Sequence, residues 1–469
     1  MNNSFASKAA AWLESLALIV LLAGMVSTPL ISGGTTAEGI FAARAGVLLA
    51  LLVSLAAFAI RGGWRWPPLL LGVPLAVYLG AAGASTLQTG LFMATEELYN
   101  IVTYAAGFVL MVHLVSTARR VQWVLAAVGL LALALGVYGV MQVFGIEFTN
   151  RVLPGDPRKI SSFYFNQAHY GGMLALLLPL GWAMFLYSTR WFPRLFWLLV
   201  TGLLSVNLLF TSSWDSMIAA GGGLVLVSLI WAGHRRNYLR LAGIAVLTAA
   251  LLGGGFWAFT QRPQAVERMI GIKPQVLVTY LERVIRERMQ INRTTLESFR
   301  ESPWLGVGPA QLINHNTVYR SETVAEARVT HRFVNYAHND LLQVLSETGV
   351  LGLLGWASFV LMGLLYRSRL SPMVAVGVFG GVAALLLHSF TDSNMTVIAG
   401  NALLAWGLLG LRVCNPATEG APYPIKAQEP TKVEAQPQTP VLAYATPTAG
   451  SSPKLKPADP MDDFEEQIY

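Results

Sequence analysis

The sequence is nearly without cysteine. Cys414 is the single one, which excludes an intrachain disulfide framework and a multi-cysteine metal site. Charge is scarce too. Only 12% of the 469 residues are charged and 54% are hydrophobic, with a mean hydropathy of +0.53. A soluble protein carries roughly 25% charged residues, so this chain is not soluble as a whole. A cleaved leader is not expected either. The first apolar run, 10–31, exceeds the roughly 7–15 residues of a signal h-region, and no basic n-region stands ahead of it beyond Lys8. The formal charge of +7 does not point to nucleic acid, because the arginines sit in short loops between apolar runs, where they carry topology.

What the sequence does have is about twelve apolar runs of spanning length. They cover roughly 10–32, 42–60, 68–88, 100–117, 121–145, 170–188, 194–212, 216–233, 240–259, 340–366, 372–390 and 394–412. Only "SSWD" separates the seventh from the eighth, which leaves the count open by one. The expected fold class is therefore all-α, a polytopic membrane protein of about twelve helices occupying 1–414. Loops holding Arg61 and Arg65, Arg119 and Arg120, Arg235 and Arg236, or Arg367 and Arg369 alternate with uncharged or acidic ones. The positive-inside rule puts the arginine set, and with it both termini, in the cytoplasm. Two outer loops break the pattern by being basic: 148–170, with Arg151, Arg158 and Lys159, and the long 261–339 between the ninth and tenth spans. Residues 415–469 are rich in Pro, Ala, Thr and Lys, with little apolar periodicity, and read as a disordered tail.

Within the long loop, "VTYLERVIRERMQINRTTLESFRESPWLGVGP" reads as a helix ending before Pro303. Leu281, Val284, Ile285, Leu296 and Phe299 fall on one stripe. Arg288 lies on that stripe, where an unpaired charge is disfavoured; it should meet an anion, from the protein or from a ligand. Arg286, Arg293 and Arg300 recur on a neighbouring face and read as solvated. Pro303, Gly306, Gly308 and Pro309 then enforce a tight turn.

The stretch "NYAHNDLLQVLSETGVLG" opens a helix that enters the membrane from outside. Asn339 or Asp340 caps the first turn. Residues Asp340, Gln343 and Glu347 share one helical face, and such a polar stripe must face protein or water. His338 stands at its outer end. A lone His is by default a satisfied structural residue; the stripe below it and Arg288 in the same loop argue for more. Asn166 and His169 precede the sixth span, and His388, Asp392 and Asn394 lie between the last two. All are on the outer side in this topology. A cavity built from them would be basic and imidazole-rich, and would suit an anionic lipid headgroup such as a diphosphate.

At these residues the chain resembles the O-antigen ligase/polymerase superfamily of bacterial membrane glycosyltransferases, which also includes protein O-oligosaccharyltransferases. "SFYFNQAHYGGMLALLLPL" resembles the family's Phe-x-Asn-x-Asn-His segment. "ERMQINRTTLESFRESPWLGVGPAQL" resembles its Arg-bearing helix leading to Pro-x-x-Gly-x-Gly. "YAHNDLLQVLSETGVLGLL" resembles its His-Asn-x-x-Leu-Gln-x-x-x-Glu-x-Gly signature, the most specific of the set. "HSFTDSNMTVIAGNALLAWGLLG" resembles the segment closing its last hairpin. The resemblance covers roughly 100–412.

The resemblance implies a GT-C-type fold in the bacterial inner membrane. It implies transfer of a glycan from undecaprenyl diphosphate, on the periplasmic face, to lipid A-core or a growing polysaccharide, with no metal or other cofactor. It makes His338 the catalytic histidine and Arg288 a diphosphate ligand, with Asn339, Asp340, Gln343, Glu347, Asn166, His169 and His388 in support. No Asp-x-Asp stands on the outer side, in keeping with this. One departure matters. Where the family has Ser-Arg-Gly, this chain has Ser213, Trp214 and Asp215, so either Arg158, Lys159 or an arginine of the long loop substitutes for the second cation, or the donor site is altered, or the chain does something else. Two other readings stand beside transfer. A transporter of glycolipid or anion would put polar residues at midmembrane, whereas here they collect at the outer rim. An inactive scaffold of a polysaccharide assembly complex would accommodate the missing arginine.

Overall fold

The computed structural model describes residues 2–149, 159–240, 242–243, 246, 274–319 and 335–416. These are all-helical, with no strand among them. In chain order the helices are α1 (Asn2–Leu30), α2 (Ala37–Arg61), α3 (Leu69–Thr89), α4 (Phe92–Leu114), α5 (Ala118–Val143), α6 (Gln167–Tyr187), α7 (Trp191–Thr211), α8 (Trp214–His234), α9 (Pro274–Glu301), α10 (Leu312–Tyr319), α11 (Asp340–Leu365), α12 (Pro372–His388) and α13 (Ala399–Val413). Nine of these are long and apolar enough to cross a membrane, and α12 and α13 are shorter apolar helices. Most of the span expected at 240–259 and all of the 417–469 tail lie outside the described residues.

The caps explain the boundaries. Thr36 accepts from Gly39 N–H at 3.4 Å to start α2, and Thr117 accepts from Arg120 N–H at 3.3 Å to start α5. Pro372 opens α12, where its missing N–H costs nothing. "SSWD" does break the run into two helices: Ser212 adopts φ +54° and closes α7. The buried centre is formed by α6, which touches α7, α8 and α12, and by α13, which packs on α4. Helices α3 and α11 pair beside them, as do α1 and α2.

Two arginines read as topology markers also have structural work. Arg61 and Arg120 both bond the buried Glu14 carboxylate, Arg120 at 3.0 Å, and so join α2 and α5 to α1. Ser15 and Ser116 hydroxyls and the Leu114 carbonyl take further donors of Arg120, which a buried ion pair needs to offset its desolvation.

Helix α9 ends at Glu301, two residues before Pro303 as expected. Its buried face is not the anticipated one. Ile285 and Leu296 are exposed, while Ile291, Thr294, Thr295 and Ser298 are buried. Arg288 is half-buried and lies on this second face, three residues before Ile291 and seven before Thr295. The turn after α9 fits into a kink of α11. Val307 N–H donates to Ser346 O at 2.8 Å, and Gly308 N–H to Glu347 O at 3.1 Å. Gly349 sits inside α11 at φ +69°, ψ −171°, a conformation essentially restricted to glycine. A Cβ there would overlap the Trp304 backbone. Gly349→Ala is expected to destabilise the protein by about 2 kcal/mol or more, read as a lower melting temperature in detergent. Gly80→Ala, in α3 with open space around it, should leave the melting temperature unchanged.

Candidate active site

A cavity of about 1000 Å³ opens where α4, α6, α9 and α11 approach one another. That volume is at the upper end for small-molecule sites. His338, Tyr336 and His169 line it, together with Asn166, Lys159 and Gln343.

His338 immediately precedes α11. Asn339 caps that helix by accepting from Leu342 N–H at 3.1 Å and fixes where His338 begins. His338 itself has φ +53°, the left-handed region that a β-carbon disfavours. Its Nδ1 lies 3.1 Å from Asp392 Oδ1. An ionised carboxylate only accepts, so Nδ1 carries the proton and Nε2 presents its lone pair. Asp392 is almost fully buried, and its other oxygen lies 3.7 Å from His169 Nε2. His169 Nε2 is also 2.8 Å from the Tyr336 hydroxyl, and the Tyr336 ring packs on His338 with centroids 4.2 Å apart. Burial raises the Tyr336 phenol well above its ordinary value. The Asp392 carboxylate raises it further, and the Arg288 guanidinium opposes both. Tyr336 therefore stays a neutral hydroxyl at physiological pH.

Arg288 makes no hydrogen bond or ion pair with any described residue. Val284 and Glu287, on the same helix, line the cavity, and Arg288 lies within electrostatic reach of His169 and Tyr336. A half-buried cation with no anion among the described residues can take one from a ligand. Lys159 lines the cavity as expected, and Asn166 caps α6 by accepting from Ala168 N–H at 2.8 Å. Arg158 falls outside the described residues.

The supporting residues divide. Asp340 is wholly buried and accepts from Met395 N–H at 2.9 Å. Gln343 accepts from Ala337 N–H and donates to Glu347, both at 2.6 Å. The Glu347 carboxylate also takes backbone N–H groups of Ala310 and Leu312, which fastens the turn before α10 to α11. His388 is different. It is fully buried and absent from the cavity lining. Its Nε2 is 2.8 Å from Ser216 Oγ and 3.4 Å from Asp215 Oδ2, and its Nδ1 accepts from Asn394 at 2.8 Å. With both nitrogens engaged it is a structural histidine. Asp215, one residue after the Trp214 that stands where an arginine was expected, bonds Ser213, Ser216 N–H and Thr391. Sequence reasoning did not single out Tyr336, Glu97 or Asn100 of this cavity, nor the pairing of Asp392 with His338.

Residues 199–357 match the family model described as O-Antigen ligase. This stretch carries Arg288, His338 and the kinked start of α11. It is narrower than the roughly 100–412 that the resemblance covers. No curated protein matches the chain.

The left-handed backbone gives a direct test of whether His338 is kept for its side chain. His338→Gly and His338→Ala both lose the imidazole, but only glycine relaxes the backbone. The glycine variant should be the more stable by about 1 kcal/mol, measured as a higher melting temperature than that of the alanine variant.

Proposed function

We propose that the chain transfers a glycan from undecaprenyl diphosphate to an acceptor hydroxyl on the periplasmic side of the bacterial inner membrane, as an O-antigen ligase or a polymerase. The observation that carries this reading is the His338–Asp392 pair at a cavity beside an uncommitted Arg288. The O-antigen ligase domain at 199–357 supports the class, and the alternation of arginine loops supports the side of the membrane.

The chemistry follows from the geometry. The acceptor oxygen attacks the anomeric carbon as its proton passes to His338 Nε2. The bond from the anomeric carbon to the diphosphate oxygen breaks, and the lipid diphosphate leaves with the electron pair. Asp392 holds the imidazole in the tautomer needed and stabilises the imidazolium that forms. Arg288 offers planar, paired N–H donors to the leaving diphosphate, and Lys159 offers a second cation. Tyr336 and His169 brace the His338 ring and the Asp392 carboxylate. The prenyl tail stays in lipid while the acceptor enters from water, which is why the base stands at the mouth of a spanning helix.

Purified protein in proteoliposomes, given undecaprenyl-diphosphate glycan and acceptor, tests the reading by resolving the product on a gel. His338→Ala, normally inserted, should lose about 100–10,000-fold in rate. Arg288→Lys keeps the charge but not the fork, and should lose about 30–1,000-fold. Parental transfer by either variant would contradict the role given to that residue.

A further inference from the structure

The cavity has a second polar wall that the transfer step does not use. It is built from α4, far from the 199–357 domain in sequence. Glu97 and Asn100 line it, next to Met93 and opposite neither a lysine nor an arginine of the lining on that helix. The α4 residues are held with care. Arg44 of α2 spends its guanidinium on Glu96, at 2.7 Å to the carboxylate and 2.7 Å to the carbonyl, and on Asn100 Oδ1 at 3.1 Å. That contact aims the Asn100 amide, whose Nδ2 donates to Glu97 Oε2 at 2.9 Å. One Glu97 oxygen is thus fixed, and Oε1 has no hydrogen-bond partner among the described residues. Of the other two carboxylates of the lining, Glu347 takes the Gln343 amide at 2.6 Å, and Glu287 on α9 has an interaction of its own.

An incompletely bonded carboxylate within a membrane-spanning helix is costly unless a ligand completes it. A carboxylate oxygen only accepts, so the missing ligand brings donors. Sugar hydroxyls are such donors, and their bonds to a carboxylate are charge-assisted. The cations of the site, Arg288 and Lys159, lie on α9 and just before α6, not on α4. The α4 wall therefore brings no cation to the cavity, and its Glu97 and Asn100 suit hydroxyls.

We propose that Glu97, positioned by Asn100 and Arg44, forms the hydroxyl-binding subsite for the acceptor sugar. It favours neutral or amino sugars over sugars bearing a carboxylate, which it repels. The word acceptor rests on the transfer reading above; the sugar binding itself does not.

Saturation-transfer NMR on the full chain in nanodiscs tests it with methyl glucoside, methyl glucosaminide and methyl glucuronide as probes. The first two should bind and the glucuronide at least about ten-fold more weakly. Glu97→Gln should weaken the neutral probe by about 10–100-fold, the worth of a hydrogen bond to a charged group, and remove the discrimination against glucuronide. Glu97→Asp, which keeps the charge, should recover part of both. Met93→Trp, which fills the same wall without changing charge, carries the test if Glu97→Gln does not fold, and should also abolish binding. Equal signals from wild type and these variants, or a preference for glucuronide, would overturn the proposal. Sugar binding that depends on Glu97 in a protein that transfers nothing from the lipid-linked donor would instead overturn the transfer reading and leave this one standing.

Discussion

The Asp340 carboxylate, buried at the first residue of α11, is the contact on which the site depends. It accepts from Met395 N–H and from the Thr396 hydroxyl, while its own N–H donates to Ser389 O at 2.9 Å. Next to it, Asn339 N–H donates to Ser393 Oγ at 3.1 Å. These bonds fix the connection between α12 and α13 across the mouth of α11, and that alone brings Asp392 to His338. A buried carboxylate that lost these donors would carry a large uncompensated desolvation cost. The crowd of polar residues at a helix entrance is thus a division of labour. Asn339 caps, Asp340 clasps, Gln343 ties back to Ala337 and on to Glu347, and His338 is left to face the cavity.

A second clasp brings the cation. The turn after α9 lies in the kink of α11 at Gly349, held by Val307 and Gly308 N–H groups and by the Glu347 carboxylate. Because α9 runs unbroken from Arg288 to Glu301, this turn sets where Arg288 stands. His338 and Arg288 are thus both positioned by reference to α11. A shift of about 1 Å in either clasp would be felt as misalignment of reacting groups. Strain at His338 and Gly349 fits this picture, since unusual backbone persists where the surroundings over-determine it.

Much of this was legible in sequence, for stated reasons. Apolar runs of spanning length gave the described membrane helices, because a bilayer requires that length. Asn339, Asn166 and the proline after α9 marked boundaries that side-chain chemistry enforces. The face of α9 was misread. Thr294 and Thr295 hydroxyls bond the Ile291 carbonyl at 2.9 and 2.8 Å, and Ser298 bonds Thr294 O at 3.0 Å. Hydroxyls satisfied by their own helix are free to bury, so hydropathy named Ile285 and Leu296 where small polar residues make the contact. His388, read as a supporting residue, lies outside the cavity lining. Its partners Ser216 and Asp215 lie 172 and more residues away in sequence, beyond any local pattern. The same distance hid the pairing of Asp392 with His338, 54 residues apart, and the polar wall of α4.

The central claim is that one lipid diphosphate is shared between Arg288 and the His338 side of the cavity. A cryo-electron microscopy structure with an undecaprenyl-diphosphate sugar bound measures this most directly. The account predicts diphosphate density within hydrogen-bonding distance of the Arg288 guanidinium, about 3 Å, and an anomeric carbon beside His338 Nε2, with Nδ1 still on Asp392. A diphosphate held elsewhere, or a His338 Nε2 turned into a protein contact and away from the sugar, would contradict it.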